Sequence, residues 1–166
     1  MTKRDSQIQQ IIEQSPGIQF REIMRSSGLK NGVLSHYLGK LEKSGVIKVI
    51  RGPRQSRFYP PQITEEESIV IKALRKQTPR DLLLALIMQD GLEFSQLVQE
   101  VKKSPSTVSL YLSQLVKDGL VKTSVVSLKK KYHIPEIELV DKLIEDYRPT
   151  VLEKATSGYE DIFNSL

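Results

Sequence analysis

The sequence contains no cysteine and only two histidines, His36 and His133. Without cysteine there is no disulfide framework, no thiolate nucleophile and no thiolate metal site, and two distant histidines give little basis for a metal site. We therefore expect no metal and no cofactor. No apolar run approaches the roughly 18 to 20 residues that a membrane span requires, and the polar N-terminus has no signal-peptide apolar core. We expect an intracellular protein with no membrane partner.

Patterns typical of enzymes are also missing. There is no glycine-rich phosphate loop, no pair of carboxylates on a predicted cleft, and no Ser/His/Asp or Cys/His set in a convincing context. We therefore predict that the protein is not an enzyme.

The charge is unevenly distributed along the chain. The net charge is +5 and the pI about 9.3. Residues 1–61 hold eleven basic and four acidic residues, a net of +7, whereas residues 136–166 hold three basic and eight acidic residues, a net of −5. This pattern predicts that the first part meets a polyanion and that the last part faces protein or solvent.

The chain repeats itself with an offset of 74 residues. Aligning Gly17 to Pro61 with Gly91 to Pro135 gives ten identities in 45 positions, where chance gives about three. The repeat predicts four segments: a first domain at 1–61, a linker helix at 62–78, a second domain at 79–135, and C-terminal helices at 136–166.

Each copy reads as three helices followed by a β-hairpin. In the first copy, Gly28 supplies the left-handed residue of the turn between the second and third helices. The second copy has Lys102 there, so its turn should differ. The third helix of the first copy turns Leu34, Leu38 and Leu41 inward, which leaves a polar face outward. Its outward members are Asn31, Gly32, Ser35, His36, Gly39 and Lys40.

The two hairpins are basic. Arginines lie at or near the tip of the first, at Arg51, Arg54 and Arg57, and the second carries Lys129, Lys130 and Lys131. For the first, contact with a phosphate or a minor groove is a better explanation than a solvated turn. For the second, the two explanations are equal. After the hairpins, Thr64 and Pro135 begin acidic helices, and we predict a last helix through Val151 to Phe163.

The residues of the first copy resemble winged helix-turn-helix transcriptional regulators of the arsenic-repressor-like and multiple-antibiotic-resistance-like groups. The resemblance rests on Ser15-Pro16-Gly17-Ile18, Phe20-Arg21-Glu22-Ile23, Ser35-His36-Tyr37-Leu38 and Gly45-Val46-Ile47. It covers about 45 residues, and a weaker 45 in the second copy. It implies that Ser35 and His36, and Ser109 and Leu110 at the matching positions, contact DNA. Leu110 lacks a hydrogen-bonding group, so we expect the first copy to read the bases.

We therefore expect an α+β fold, mainly α with small β-hairpins, built from two tandem winged helix-turn-helix domains. The expected function is a DNA-binding transcriptional regulator, cytoplasmic and nucleoid-associated, acting on double-stranded DNA as a homodimer through its C-terminal helices. The expected DNA contacts are Lys30, Asn31, Gly32, Ser35, His36, Lys40, Arg51, Arg54 and Arg57. A second DNA or protein contact is expected at Ser106, Thr107, Ser109, Leu110, Lys129, Lys130 and Lys131. The alternatives are a tandem winged-helix adaptor that binds protein, and a chromatin protein that binds DNA without sequence preference.

Overall fold

The computed structural model describes residues 1–147, which form α-helices and two small antiparallel sheets. The predicted last helix through Val151 to Phe163 lies outside the described residues. The chain divides into two units, Met1–Ser68 and Ile69–Leu166. Within residues 1–147, no helix has the length and apolar character needed to cross a membrane.

Three helices form most of unit 1: α1 (Lys3–Gln14), α2 (Phe20–Ser27) and α3 (Asn31–Lys43). Thr2 caps α1 through a capping box with Asp5, which satisfies two backbone N–H groups at the helix start. Gly28 ends α2 with a φ of 71°, a left-handed conformation that glycine adopts without strain. The apolar stripes of the three helices meet in one core, which contains Ile8, Ile12, Ile23, Leu34, Leu38 and Leu41.

A three-stranded sheet closes unit 1. Its strands are β1 (Ile18–Gln19), β2 (Lys48–Arg51) and β3 (Ser56–Tyr59), in the order β1-β3-β2. The hairpin β2–β3 turns through residues 52–55, as the Gly52-Pro53 sequence predicts. This hairpin is the first wing. Its inner face brings Phe58 into the helical core, so the wing is anchored beside α3.

The α4 helix (Glu65–Leu74) follows the first wing. Thr64 Oγ1 accepts a hydrogen bond from the Glu67 N–H at 3.1 Å, and Glu67 accepts one from the Thr64 N–H at 3.2 Å. This reciprocal pair is a capping box, as the sequence predicts. The boundary between the two units falls inside α4, after Ser68, so the division into a separate linker at 62–78 stays a prediction.

Unit 2 repeats the element order of unit 1. Its helices are α5 (Gln77–Met88), α6 (Phe94–Val101) and α7 (Pro105–Lys117), and its hairpin is β4 (Lys122–Val126) with β5 (Lys129–His133). Each of the three helices begins and ends 74 residues after its counterpart. Ser104 caps α7 and Pro105 is its first residue, as predicted. A further helix, α8, begins at 137 and is described to 147.

The turn between α6 and α7 corrects one prediction from the sequence. Lys102 takes the left-handed conformation, with a φ of 56° and a ψ of 41°, where unit 1 has Gly28. The turn is therefore the same in both units, although the glycine is missing. Lys102 thereby takes a conformation that is unfavourable for a residue with a Cβ atom.

Candidate nucleic-acid interface

The polar face that the sequence predicts on α3 is exposed. Asn31, Gly32, Ser35 and His36 are all exposed, while the leucines of the opposite face are buried. Ser35 Oγ donates a hydrogen bond to Asn31 Oδ1 at 3.3 Å. The N-terminal half of α3 therefore presents donors and acceptors to solvent, which is the chemistry that reads base edges in a major groove.

Gly32 is exposed at the second position of α3. A Cβ atom built there meets no described atom within 4 Å, and the same holds for Gly39 further along α3. The packing of the described residues therefore does not require glycine at either position, and the α3 backbone is accessible to solvent at Gly32.

Lys40 on α3 is already engaged. Its Nζ lies 3.0 Å from Asp5 Oδ2, an oxygen that also accepts a hydrogen bond from the Thr2 backbone N–H. The Thr2 N–H, followed by Lys40, lowers the pKa of Asp5 to about 2. Lys40 remains half exposed, so it can meet a phosphate while it keeps its partner in the protein.

Arg51, at the end of β2, makes a bidentate pair with Glu42 of α3. Its Nη1 and Nη2 each donate to one carboxylate oxygen at 2.8 Å. This hydrogen bonding lowers the pKa of Glu42 and raises the pKa of Arg51. The pair joins α3 to the first wing. Lys30 and Arg54 are exposed near the same helix and wing.

Arg57 requires a correction. It is only 5% exposed, and its Nη1 donates a 2.9 Å hydrogen bond to the carbonyl oxygen of Gly17. Because its side chain turns into unit 1, the expectation that Arg57 contacts DNA from the wing tip is wrong. It ties β3 to the chain segment before β1, and the basic tip of the first wing consists of Arg51 and Arg54.

The corresponding face of unit 2 is less polar. Ser106 and Ser109 are exposed, Thr107 is half-buried, and Leu110 is 67% exposed, as its place opposite the buried stripe predicts. Gln114 stands where unit 1 has Lys40. Beside α7, a groove of about 320 Å³ is lined by Phe94, Ser109, Leu112, Ser113, Val116, Thr123, Lys130 and Tyr132.

The second wing is longer and tighter than the first. Its ladder runs one residue pair further, to Val126 and Lys129, so that Ser127 and Leu128 alone make the turn. Leu128 is 99% exposed. Lys129 and Lys130 follow it on the outside, and Lys131 is half-buried. The sequence predicts the lysines, but the apolar tip was missed, although the run Val-Val-Ser-Leu before the lysines signals it.

At the base of the second wing, the sequence prediction missed a hydrogen-bonded chain. Ser124 Oγ lies 2.6 Å from His133 Nε2, and His133 Nδ1 lies 2.9 Å from Asp90 Oδ1. Asp90 is 43 residues from His133, so no local pattern reveals the contact. The chain fastens β4 and β5 to the loop after α5, where Leu92 bridges Tyr132. Asp90 is exposed, so we assign this set a structural role.

Metal binding finds no support in residues 1–147, since no group of three or more His, Cys, Asp or Glu residues is placed there to hold an ion.

Comparison with protein families identifies both units. Residues 1–48 match the model described as winged helix-turn-helix DNA-binding, which ends at the start of β2. Residues 71–123 match the model described as bacterial regulatory protein, arsR family, which spans α5 to α7 and reaches β4. Each unit therefore matches a helix-turn-helix family model over part of its length. The expected resemblance and the α+β winged-helix fold class are thereby confirmed.

Two solved structures are similar to parts of the chain. HlyU from Vibrio cholerae is 23% identical with a TM-score of 0.44, covering 50% of this chain and 89% of its own. A mutant of ZitR from Lactococcus lactis is 17% identical with a TM-score of 0.37, covering 81% of this chain and 83% of its own. Because both TM-scores lie below 0.5, we base nothing on these two likenesses. No curated protein matches the sequence.

The model matched by residues 1–48 is described as DNA-binding, and the model matched by residues 71–123 as a bacterial regulatory protein. The two matches support DNA binding and transcription regulation as the function class.

Proposed function

We propose that unit 1 is the sequence-reading module of this transcriptional regulator. The N-terminal half of α3 enters the major groove of double-stranded DNA, and the β2–β3 wing meets phosphates or the neighbouring minor groove. The observation that carries the proposal is the exposed polar face of α3 around Gly32, where a Cβ atom would meet no described atom within 4 Å.

Each side chain has a distinct role in this arrangement. Asn31, Ser35 and His36 offer hydrogen bonds to base edges, and Gly32 allows the helix backbone to come close. Lys30, Lys40, Arg51 and Arg54 neutralise phosphates. For Arg51, a phosphate must share or replace the carboxylate of Glu42, which now holds both of its Nη groups.

The test is a salt-dependent binding titration of the full chain against a random duplex and against its own promoter. Changing Arg51 and Arg54 together to alanine should weaken binding to both duplexes. The slope of log K against log salt should fall by roughly 0.9 for each phosphate that the variant no longer neutralises. A matched control changes the exposed lysines Lys72 and Lys76, which removes the same charge from positions that belong to unit 2.

Each outcome of the titration points to a different conclusion. If the wild-type chain does not bind random duplex even at low salt, DNA binding by unit 1 fails. If the Lys72/Lys76 change lowers the slope as much as the Arg51/Arg54 change, binding depends on net charge and the wing has no special place in it. A His36→Ala or Asn31→Ala change that alters base preference, with the salt slope kept, identifies base reading.

A second candidate applies to unit 2 and rests on Leu110. This exposed leucine at the centre of a recognition helix cannot hydrogen-bond a base edge, but it suits a protein contact. In this candidate the face of α7 pairs two copies of the chain. Sedimentation of the full chain tests it. Leu110→Ser should shift the copies toward monomer, whereas an unchanged sedimentation profile removes α7 from the interface.

A further inference from the structure

The tip of the second wing combines a strained two-residue turn, an exposed leucine and two neighbouring lysines. Ser127 and Leu128 make the two-residue turn between β4 and β5, with φ values of 51° and 66°. Leu128 is 99% exposed. We propose that Leu128 is a wedge that inserts between base pairs of duplex DNA and kinks it, an inference that rests on the DNA binding proposed above.

The backbone of the turn is the first support. A two-residue hairpin turn with both φ values positive is normally occupied by Asn-Gly or Asp-Gly, because those residues tolerate the left-handed region. Here a serine and a leucine occupy it. The first wing avoids this strain with a four-residue turn that contains Gly52. Strain at an exposed site with no packing reason for it points to a role outside the folded chain.

The surroundings of the leucine are the second support. Val126 pairs with Lys129, and Val125 pairs with Lys130, across the end of the ladder. All four side chains are exposed. The exposed Leu128 side chain, with Lys129 and Lys130 beside it, suits a partner whose surface is anionic and whose interior is apolar. Duplex DNA has that construction, with phosphates outside and stacked bases inside.

The apolar character of the tip decides how it would act on DNA. Leucine has no group that reads a base edge, so its contribution must come from contact with base faces. Proteins that bind the minor groove insert Leu, Phe, Ile, Met or Pro side chains between base steps and bend the duplex by roughly 20–90°. Pyrimidine–purine steps unstack at the lowest cost, so the wedge should prefer them. Sequence preference then arises in unit 2 without base contacts from α7.

The experiment measures DNA shape and not affinity alone. The full chain is titrated into a duplex of its promoter that carries a fluorophore pair at its ends and 2-aminopurine beside a central pyrimidine–purine step. Binding should shorten the end-to-end distance and raise the 2-aminopurine fluorescence. Leu128→Gly is the main variant, because glycine accepts the left-handed φ and should keep the hairpin folded. Leu128→Met, which keeps an apolar wedge, should restore the signal.

Leu128→Gly is expected to lose at least half of the bend and of the 2-aminopurine signal while the salt slope stays at its wild-type value. A Leu128→Gly complex as bent as the wild type overturns the wedge and leaves the proposed function standing. Absence of DNA binding by the wild-type chain overturns both. A third arm uses vesicles of phosphatidylserine and phosphatidylcholine without DNA. If vesicle binding depends on Leu128 and the DNA complex is not bent, the wedge proposal is wrong and Leu128 contacts a lipid surface instead.

Discussion

Lys40 of α3 reaches back to α1 and places its Nζ 3.0 Å from the carboxylate of Asp5, whose side chain is 1% exposed. The recognition helix is thereby fixed to the helix that starts the chain, through two residues 35 positions apart. The Lys40 ammonium group therefore contributes both to the fold and to the proposed DNA surface.

The stability of unit 1 should depend on pH through Asp5. The pKa of Asp5 is lowered from 3.8 to about 2 by the Thr2 backbone N–H, then by Lys40. A lowered folded pKa stabilises the protein above the unfolded value, and that stabilisation disappears as pH falls from about 4 through about 2. Urea denaturation across this range should show the loss, and Asp5→Asn should flatten it. An Asp5→Asn protein with the wild-type pH dependence would contradict the assignment.

Removing the charge of Glu42 should strengthen DNA binding. Glu42 holds both Nη groups of Arg51 at 2.8 Å, so a phosphate now competes with a carboxylate for the same fork. Glu42→Gln should raise affinity and steepen the salt dependence, with little change in melting temperature because the pair is exposed to solvent. Glu66→Gln on α4 removes the same charge from an exposed site. If both variants gain the same DNA affinity, the effect comes from net charge and not from the pairing of Glu42 with Arg51.

Gly32→Ala should stabilise the protein and weaken its DNA binding. A Cβ atom meets no described atom at this position in the first turn of α3, and alanine in place of glycine at an unstrained position stabilises a protein by about 0.4–1 kcal/mol. If the α3 backbone approaches the bases, the same methyl group obstructs it. Gly39→Ala provides the comparison, because it should give the same stability gain further from the N-terminal half of α3. Unfolding and DNA titrations of the two variants measure both effects. If the Gly32→Ala protein binds DNA as tightly as the wild type, the α3 backbone does not approach DNA closely at Gly32.

Alanine substitution of Arg57 should lower the stability of the protein, whereas alanine substitution of Arg54 should lower its DNA affinity. Arg57→Ala removes a buried hydrogen bond to the Gly17 carbonyl and leaves that oxygen without its partner, which should cost about 2 kcal/mol of unfolding free energy. Arg54→Ala should leave stability unchanged and lower DNA affinity and salt slope. Thermal unfolding and DNA titration of the two variants make the check. A stable Arg57→Ala protein with weakened DNA binding would return Arg57 to the wing surface.

Lys102→Gly should stabilise unit 2. Lys102 holds a φ of 56° at the end of α6, the position that Gly28 occupies with a φ of 71° at the end of α2. Relieving the left-handed conformation should contribute about 1 kcal/mol, and Gly28→Ala should cost a similar amount. Denaturant titration of the two variants tests the pair. A destabilised Lys102→Gly protein would mean that the lysine side chain contributes more than its backbone strain costs.

Much of the fold follows from local pattern. The spacing of Leu34, Leu38 and Leu41 predicts both the helix and its buried side, and the same spacing leaves Asn31, Ser35 and His36 outside. The caps at Thr64 and Ser104 are equally local. Two of the failures, the burial of Arg57 and the contact between His133 and Asp90, depend on a neighbour that is distant in sequence. Arg57 is buried because Gly17, 40 residues earlier, offers it a carbonyl.

What the sequence alone determined is the repeating order of elements and the polar or apolar side of each helix, since periodicity and capping act within a few residues. Only the tertiary structure decided which basic side chains pair with a group of the protein itself. It pairs Lys40 with Asp5 and Arg51 with Glu42, buries Arg57, and exposes Leu128 at the end of a turn. Those outcomes depend on which side chains meet across the core and the sheet, and packing alone settles that.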